Sequence, residues 1–258
     1  MLARVAERVE AYYARAQSLV SLETVQIRTL DRNLSEASRP RRLEFELRVE
    51  WAPPADAATP PAATIMRRLV RVNGRAPRPG DEPGCMDPKA VATEPLAIFL
   101  PERQHEQIFR WTGDARIDGR ASVRLDFAPR DGPPPTVSWL QKGECVTVDV
   151  GARSRGRVWA DAATGDVLRL DEWIAGMHEF SVPYEHQRAW GTPSLGIERS
   201  DSSIRYRPVT FTDPDETLLL PVSVETRTVW RPGGTNIRTT QSFSNYRRFI
   251  TGARIVEP

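Results

Sequence analysis

Apolar residues recur at spacings of three and four through the first twenty positions: Val5, Val9, Tyr12, Tyr13, Ala16, Leu19 and Val20. That spacing places them on one stripe of a helix, and Arg4, Glu7, Arg8, Glu10 and Arg15 mostly avoid it. The pattern predicts an amphipathic helix over residues 1–20, packed on a sheet. Its polar face mixes acids with bases, which argues against a helix lying on a membrane surface. From Leu22 the period changes to two. Leu43, Phe45, Leu47, Val49 and Trp51 alternate with Glu44, Glu46, Arg48 and Glu50, the clearest half-buried strand in the chain.

Further strands are predicted over 23–30, 66–72, 107–111, 122–127, 145–150, 157–160, 167–173, 180–184, 204–211, 218–230 and 237–249. Turn signals separate them, including Asn73-Gly74 and Pro232-Gly233-Gly234-Thr235-Asn236. Gly156 to Leu170 reads as one hairpin, with Asp161 and Thr164 capping the turn and Gly165 supplying a positive φ. Pro221 is expected at a strand start or a bulge. Pro-rich loops fall at 52–64, 76–95 and 129–136, with a short helical piece near Ala90; none looks like an interdomain linker. The reading is one domain over 1–258, mainly β (α+β), with helix at 1–20 and a large antiparallel sheet or barrel over 22–258.

Composition narrows the partners. The 258 residues carry a formal charge of +2, too small to suggest nucleic acid. The positive charge is almost all Arg and is spread along the chain, with Lys only at Lys89 and Lys142. No apolar run is long enough to span a membrane as a helix. The start, Met1-Leu2-Ala3-Arg4, lacks the layout of a secretory signal. Either the protein is cytosolic or an export signal lies outside this sequence. Cys85 sits in a turn-rich stretch and Cys145 begins a strand, so the two suit a loop-pinning disulfide or else two separate thiols. A bridge would favour an oxidising compartment.

Candidate chemistry is sparse. His178 and His186 would lie about 26 Å apart on a straight strand, too far for one metal ion, and His105 sits among charged residues. There is no Gly-x-Ser-x-Gly elbow, His-Glu-x-x-His helix or phosphate-cradling glycine loop. The acidic pairs Asp171-Glu172 and Asp213-Pro214-Asp215-Glu216 leave a carboxylate-pair hydrolase open, because sequence does not show whether two acids face each other across a cleft. No catalytic residue, metal or cofactor is assigned. The seven tryptophans fall on or beside strands, where they either pack a core or line a pocket for an apolar ligand.

The hairpin Val158-Trp159-Ala160-Asp161 … Thr164-Gly165-Asp166-Val167-Leu168-Arg169-Leu170 resembles a pattern of bacterial proteins with the LolA/LolB-like half-barrel, a group that includes the regulator RseB. The segment from Ile117 to Phe127 and the ending Phe243-Ser244-Asn245-Tyr246-Arg247-Arg248-Phe249 are similar to envelope proteins of the same build. The resemblance implies a curved antiparallel sheet forming an incomplete β-barrel, covered by the opening helix. It also implies a periplasmic or outer-membrane-associated monomer without enzymatic activity. Its ligand would be apolar, a lipid or lipoprotein acyl chain, with the helix or the loop from Pro53 to Ala63 as a lid. Phe45, Leu47, Trp51, Trp111, Phe127, Trp159 and Trp173 are the cavity candidates. The alternative is an interaction or sensor module for an envelope protein partner.

Overall fold

The computed structural model describes residues 1–16, 18–52, 62–81, 94–139, 145–212 and 215–248. One helix, α1 (Leu2–Arg15), opens the chain and thirteen strands follow. These are β1 (Ser18–Leu30), β2 (Arg41–Ala52), β3 (Ala62–Val72), β4 (Gln107–Ile117), β5 (Arg120–Pro129), β6 (Thr136–Trp139) and β7 (Val146–Asp149). The rest are β8 (Ser154–Asp161), β9 (Val167–Ile174), β10 (His178–Ser181), β11 (Ser194–Thr212), β12 (Asp215–Arg231) and β13 (Asn236–Arg248), with a short helix, α2 (Tyr184–Trp190), before β11. Eleven strands form one antiparallel sheet in the order β3-β2-β1-β13-β12-β11-β9-β8-β5-β4, with β10 paired to β11. Strands β3 and β4 end the sheet without meeting, so it is open. The fold class read from the sequence is therefore found: a large, unclosed antiparallel sheet with an N-terminal helix.

Alternation decides which side is buried, because successive side chains on a strand point to opposite faces. Leu43, Phe45, Leu47, Val49 and Trp51 of β2 are all buried. Their partners on β1 include Leu19, Ser21, Glu23 and Val25, and across the sheet Leu125, Val158, Leu170, Ile204 and Val224 continue the same layer. Helix α1 lies on this layer with Val5, Val9, Tyr12 and Tyr13 buried. Leu96, Phe99 and Leu100, from two short 3₁₀ turns, cover its β4–β5 end. Each fully buried aliphatic side chain here contributes about 1.5–3 kcal/mol. A separate two-stranded sheet, β6–β7, packs Val146 and Val148 beside Ile174, Ile197 and Trp230.

Three boundaries differ from expectation, each for a local reason. The helix stops at Arg15, not at residue 20, because Leu19 and Val20 pair with Val49 and Arg48 of β2. Strand β4 runs on to Ile117 through a bulge between Trp111 and Gly113, where Gly113 takes φ +110°. It ends in a tight turn at Asp118-Gly119, both with positive φ. The strand predicted over 180–184 ends at Ser181, and α2 and the start of β11 fill the stretch before 204, with Gly191 at φ +67° closing the helix. Pro221 does sit opposite a register shift, between Arg205 and Tyr206. The loop at 53–61 and the piece near Ala90 lie outside the described residues.

Candidate functional site

The covered face is apolar at its margins and polar at its centre. Glu23 stands in phase with Leu19, Val25 and Ile27, and is fully buried. Arg67 of β3 donates to its carboxylate at 2.8 Å. Above it, Tyr13 packs edge-on against Trp51 with centroids 4.8 Å apart, and Tyr12 packs edge-on against Tyr13 at 5.3 Å. Tyr246 donates to the carbonyl of Pro221 at 2.6 Å. Burial pushes the Tyr206 and Tyr246 phenols well above their ordinary range, with the nearby tyrosines adding to the effect. Glu172 stands in phase with Leu170 and Ile174, beside Gly156 and Ser202 on the neighbouring strands. Burial raises its pKa from 4.5 to about 7.

Helix α1 is held over this face at both ends by arginines. The hairpin tip between β8 and β9 takes the N-terminal end. Asp161 accepts from the backbone N–H of Ala163 and Thr164 at 2.9 Å, which turns the carbonyls of the tip outward. Arg4 then donates to the carbonyls of Ala163 (2.8 Å) and Ala162 (3.2 Å), and Arg8 to that of Thr164 (3.2 Å). Gly165, at φ +82°, lies so close that a Cβ would meet the Arg4 backbone at 3.0 Å. Burial alone would raise the Asp161 carboxyl. The Thr164 and Ala163 N–H groups and Arg120 outweigh it and hold the pKa below the usual range. At the other end, Arg15 pairs with Glu216 at 3.3 Å, and Arg248 joins them by pairing with Glu216 and donating to the Arg15 carbonyl.

The structure divides the candidate ligand residues into three groups. Phe45, Leu47, Trp51 and Phe127 are buried in the covered face. Trp111 sits on the same face at the free edge strand β4, 52% exposed, behind which Phe109 packs against Phe99 and Phe127. Trp159 and Trp173 lie on the opposite face. Trp159 pairs with Arg124 and Arg169, whose guanidinium lies 4.7 Å from the ring centroid, and Trp173 pairs with Asp201. Cys145 is disulfide-bonded; the chain has one other cysteine, Cys85, outside the described residues. His186 stacks on Trp139 with centroids 5.0 Å apart, and His178 lies beside Phe180. Among the described residues no cluster of His, Cys, Asp or Glu suits a metal ion.

Glu23, Arg67 and the Arg4–Arg8 contacts were not legible as site residues, and Glu172 entered only as part of the acidic pair Asp171-Glu172. The two acids did leave a signal, since each interrupts an apolar run in phase with it. The arginine contacts left none, because they depend on where the hairpin tip lands.

The opposite face holds a groove of about 710 Å³ across β9, β11, β12 and β13. Its acids are bound up with arginines: Arg169–Asp171 at 2.7 Å, Arg199–Asp201 at 3.1 Å, Arg231–Glu198 at 2.9 Å and Arg238–Glu225 at 2.9 Å. Asp201 is raised, first by burial and further by Asp171, against Arg199 and Arg227. A hydrolase of the paired-carboxylate kind needs one acid kept protonated opposite one free base. Here four of the lining acids are engaged by arginine, and the fifth, Glu172, stands in phase with the other face of β9.

No family model matches the chain, and no curated protein matches it in sequence. Solved structures are similar along nearly its whole length. A DUF1329 family protein from Desulfovibrio piger is 11% identical over 96% of this chain and 92% of its own, with a TM-score of 0.45. A putative outer membrane lipoprotein-sorting protein domain from Vibrio parahaemolyticus is 12% identical over 97% and 93%, with a TM-score of 0.40. A LolA superfamily protein from Nitrosomonas europaea is 9% identical over 100% and 97%, also at 0.40. Among the described residues no helix is long and apolar enough to cross a membrane.

Proposed function

We propose that this chain is a non-enzymatic binding protein that takes an apolar group, such as the acyl chain of a lipid or lipoprotein, on the covered face of its open sheet. Helix α1 is the cover that must lift. The observation that carries the reading is the way α1 is fastened. Its apolar stripe fills a face that an apolar ligand could fill, while its N-terminal end is tied by solvent-exposed arginine contacts and its C-terminal end by Arg15 and Arg248 meeting the largely buried Glu216. Exposed contacts like those of Arg4 and Arg8 contribute little each, about 0–1 kcal/mol, so the cover is held mainly by apolar burial, which an apolar ligand could replace. Placement in the periplasm or at the outer membrane belongs to the same proposal. The disulfide at Cys145 supports an oxidising compartment.

The test is uptake of a fluorescent fatty acid by the wild-type protein and by the double variant R4A/R8A, with native mass spectrometry to count bound chains. Loosening the latch should raise uptake several-fold while circular dichroism stays unchanged. No uptake by either protein overturns the reading. A second reading, a module that binds an envelope protein, is favoured by strand β4. It is a free sheet edge carrying Ile108 (46% exposed) and Trp111, and such an edge can accept an added strand.

A further inference from the structure

The groove on the opposite face has a charge pattern that the apolar-ligand reading leaves unused. On strands β11 and β12, three successive rungs point into it: Arg205 opposite Ser223, Ser203 opposite Glu225, and Asp201 opposite Arg227. Strand β9 adds Arg169 beside Arg205 and Asp171 beside Ser203. The four acids of the lining on this face are each paired with Arg169, Arg199, Arg231 or Arg238. Arg205 and Arg227 are left over. Among the described residues neither makes a hydrogen bond or an ion pair, although Arg227 lies within electrostatic range of Asp201. The Arg227 Nε is also buried with no acceptor.

An unpaired guanidinium at a surface is ordinary, because water satisfies it. A buried guanidinium N–H without an acceptor is not, since leaving a charged donor unmet costs more than a neutral hydrogen bond returns. The two arginines stand four residues apart along the ladder, about 13 Å at strand spacing, on either side of the Ser203 rung. Both can therefore lean toward the same central point. The hydroxyls of Ser203, Ser223 and Thr240 border the groove and make no hydrogen bond among the described residues. Two free guanidinium forks and three free hydroxyls on one floor suit an acceptor with several oxygens on one centre. The volume of about 710 Å³ is that of a small-molecule site.

We propose that this groove binds the phosphate dianion of a small soluble phosphomonoester, with Arg205 and Arg227 gripping the phosphate and Ser203, Ser223 and Thr240 donating to its oxygens. A dianion is the right charge because two positive charges remain once the paired acids are set aside. A lone carboxylate would leave one arginine unmet. The site stands on the face away from α1, so it is independent of the apolar ligand's fate.

The probes are inorganic phosphate and glycerol 3-phosphate, titrated into the full chain at low ionic strength by calorimetry. Saturable binding of both is expected, weakening as salt rises. R205Q and R227Q should each weaken it at least tenfold, and R205K should weaken it less. R48Q, on a distant strand where Arg48 pairs with Glu46, should leave it unchanged. Thermal melts confirm that each variant folds. The proposal is overturned if neither probe binds at millimolar concentration. It is equally overturned if the arginine variants bind as the wild type does, or if only vesicles containing phosphatidic acid bind, which would make the face a membrane-surface contact.

Discussion

Glu172 offers a test of whether the covered face is as dry as its packing implies. The carboxyl sits between Leu170 and Ile174, with Gly156 and Ser202 on the strands to either side, and burial raises its pKa from 4.5 to about 7. An acid whose folded pKa is raised binds its proton more tightly in the native state. Its folding is therefore unpenalised below about pH 4.5 and progressively destabilised as pH rises toward 7, with the full cost present above that. A shift of roughly 2.5 units corresponds to about 3 kcal/mol as a ceiling. The side chain keeps partial contact with solvent, so about 1–2 kcal/mol is the working expectation. Glu172→Gln keeps the shape and removes the titration. The assay is urea unfolding followed by tryptophan fluorescence at pH 5, 6, 7 and 8 for both proteins. The advantage of the variant over the wild type should be smallest at pH 5 and grow up to pH 8, with unchanged slope against urea. Other titrating groups are common to both proteins and cancel in the difference. Parallel pH curves, or a wild type that is the more stable at pH 8, would refute the placement of this carboxyl in an apolar surround.

Three further outcomes follow from the same packing. Arg67→Met removes the guanidinium that donates to the fully buried Glu23 carboxylate and should cost about 3 kcal/mol in chemical unfolding, of which the double variant E23L/R67M should recover most. Gly156→Ala places a Cβ 2.0 Å from the Phe127 ring, so the variant should unfold at least 2 kcal/mol more easily by the same measurement. If Cys145 bridges to Cys85, the closed loop of about sixty residues stabilises the fold by about 4 kcal/mol. C145S, or reduction of the wild type, should then lower the unfolding midpoint, and a denatured unreduced sample should show no reactive thiol.

The strand periodicity made the sheet legible because a period of two survives any arrangement of the strands in space. Strand β2 shows it best, since every apolar residue from Leu43 to Trp51 is buried. The end of α1 was less legible: Leu19 and Val20 continue the helical spacing, and only their pairing with β2 draws them into β1. The candidate cavity residues were legible by type and not by side. Trp159 and Trp173 have the same character as Trp51, yet the register of β8 and β9 turns them to the other face. A shift of one position on a strand reverses the side, and no residue type encodes that parity where a strand is flanked by bulges such as those at Trp159–Ala160 and Arg205–Tyr206.

The hairpin at Gly156–Leu170 then has a use beyond turning the chain. Its tip is rigid because Asp161 caps two backbone N–H groups and Thr164 donates to Asp166 at 2.7 Å. That rigidity holds three carbonyls outward, where Arg4 and Arg8 find them. A tip that flexed would have to be ordered each time α1 docked, at a cost in chain entropy comparable to the contacts themselves. A preset tip avoids that cost, so weak exposed contacts suffice to keep the helix seated. If α1 is the cover proposed above, the same weakness would let it leave when an apolar ligand offers equivalent burial. On this argument the capping residues Asp161 and Thr164 set how tightly the cover closes, though neither touches the covered face.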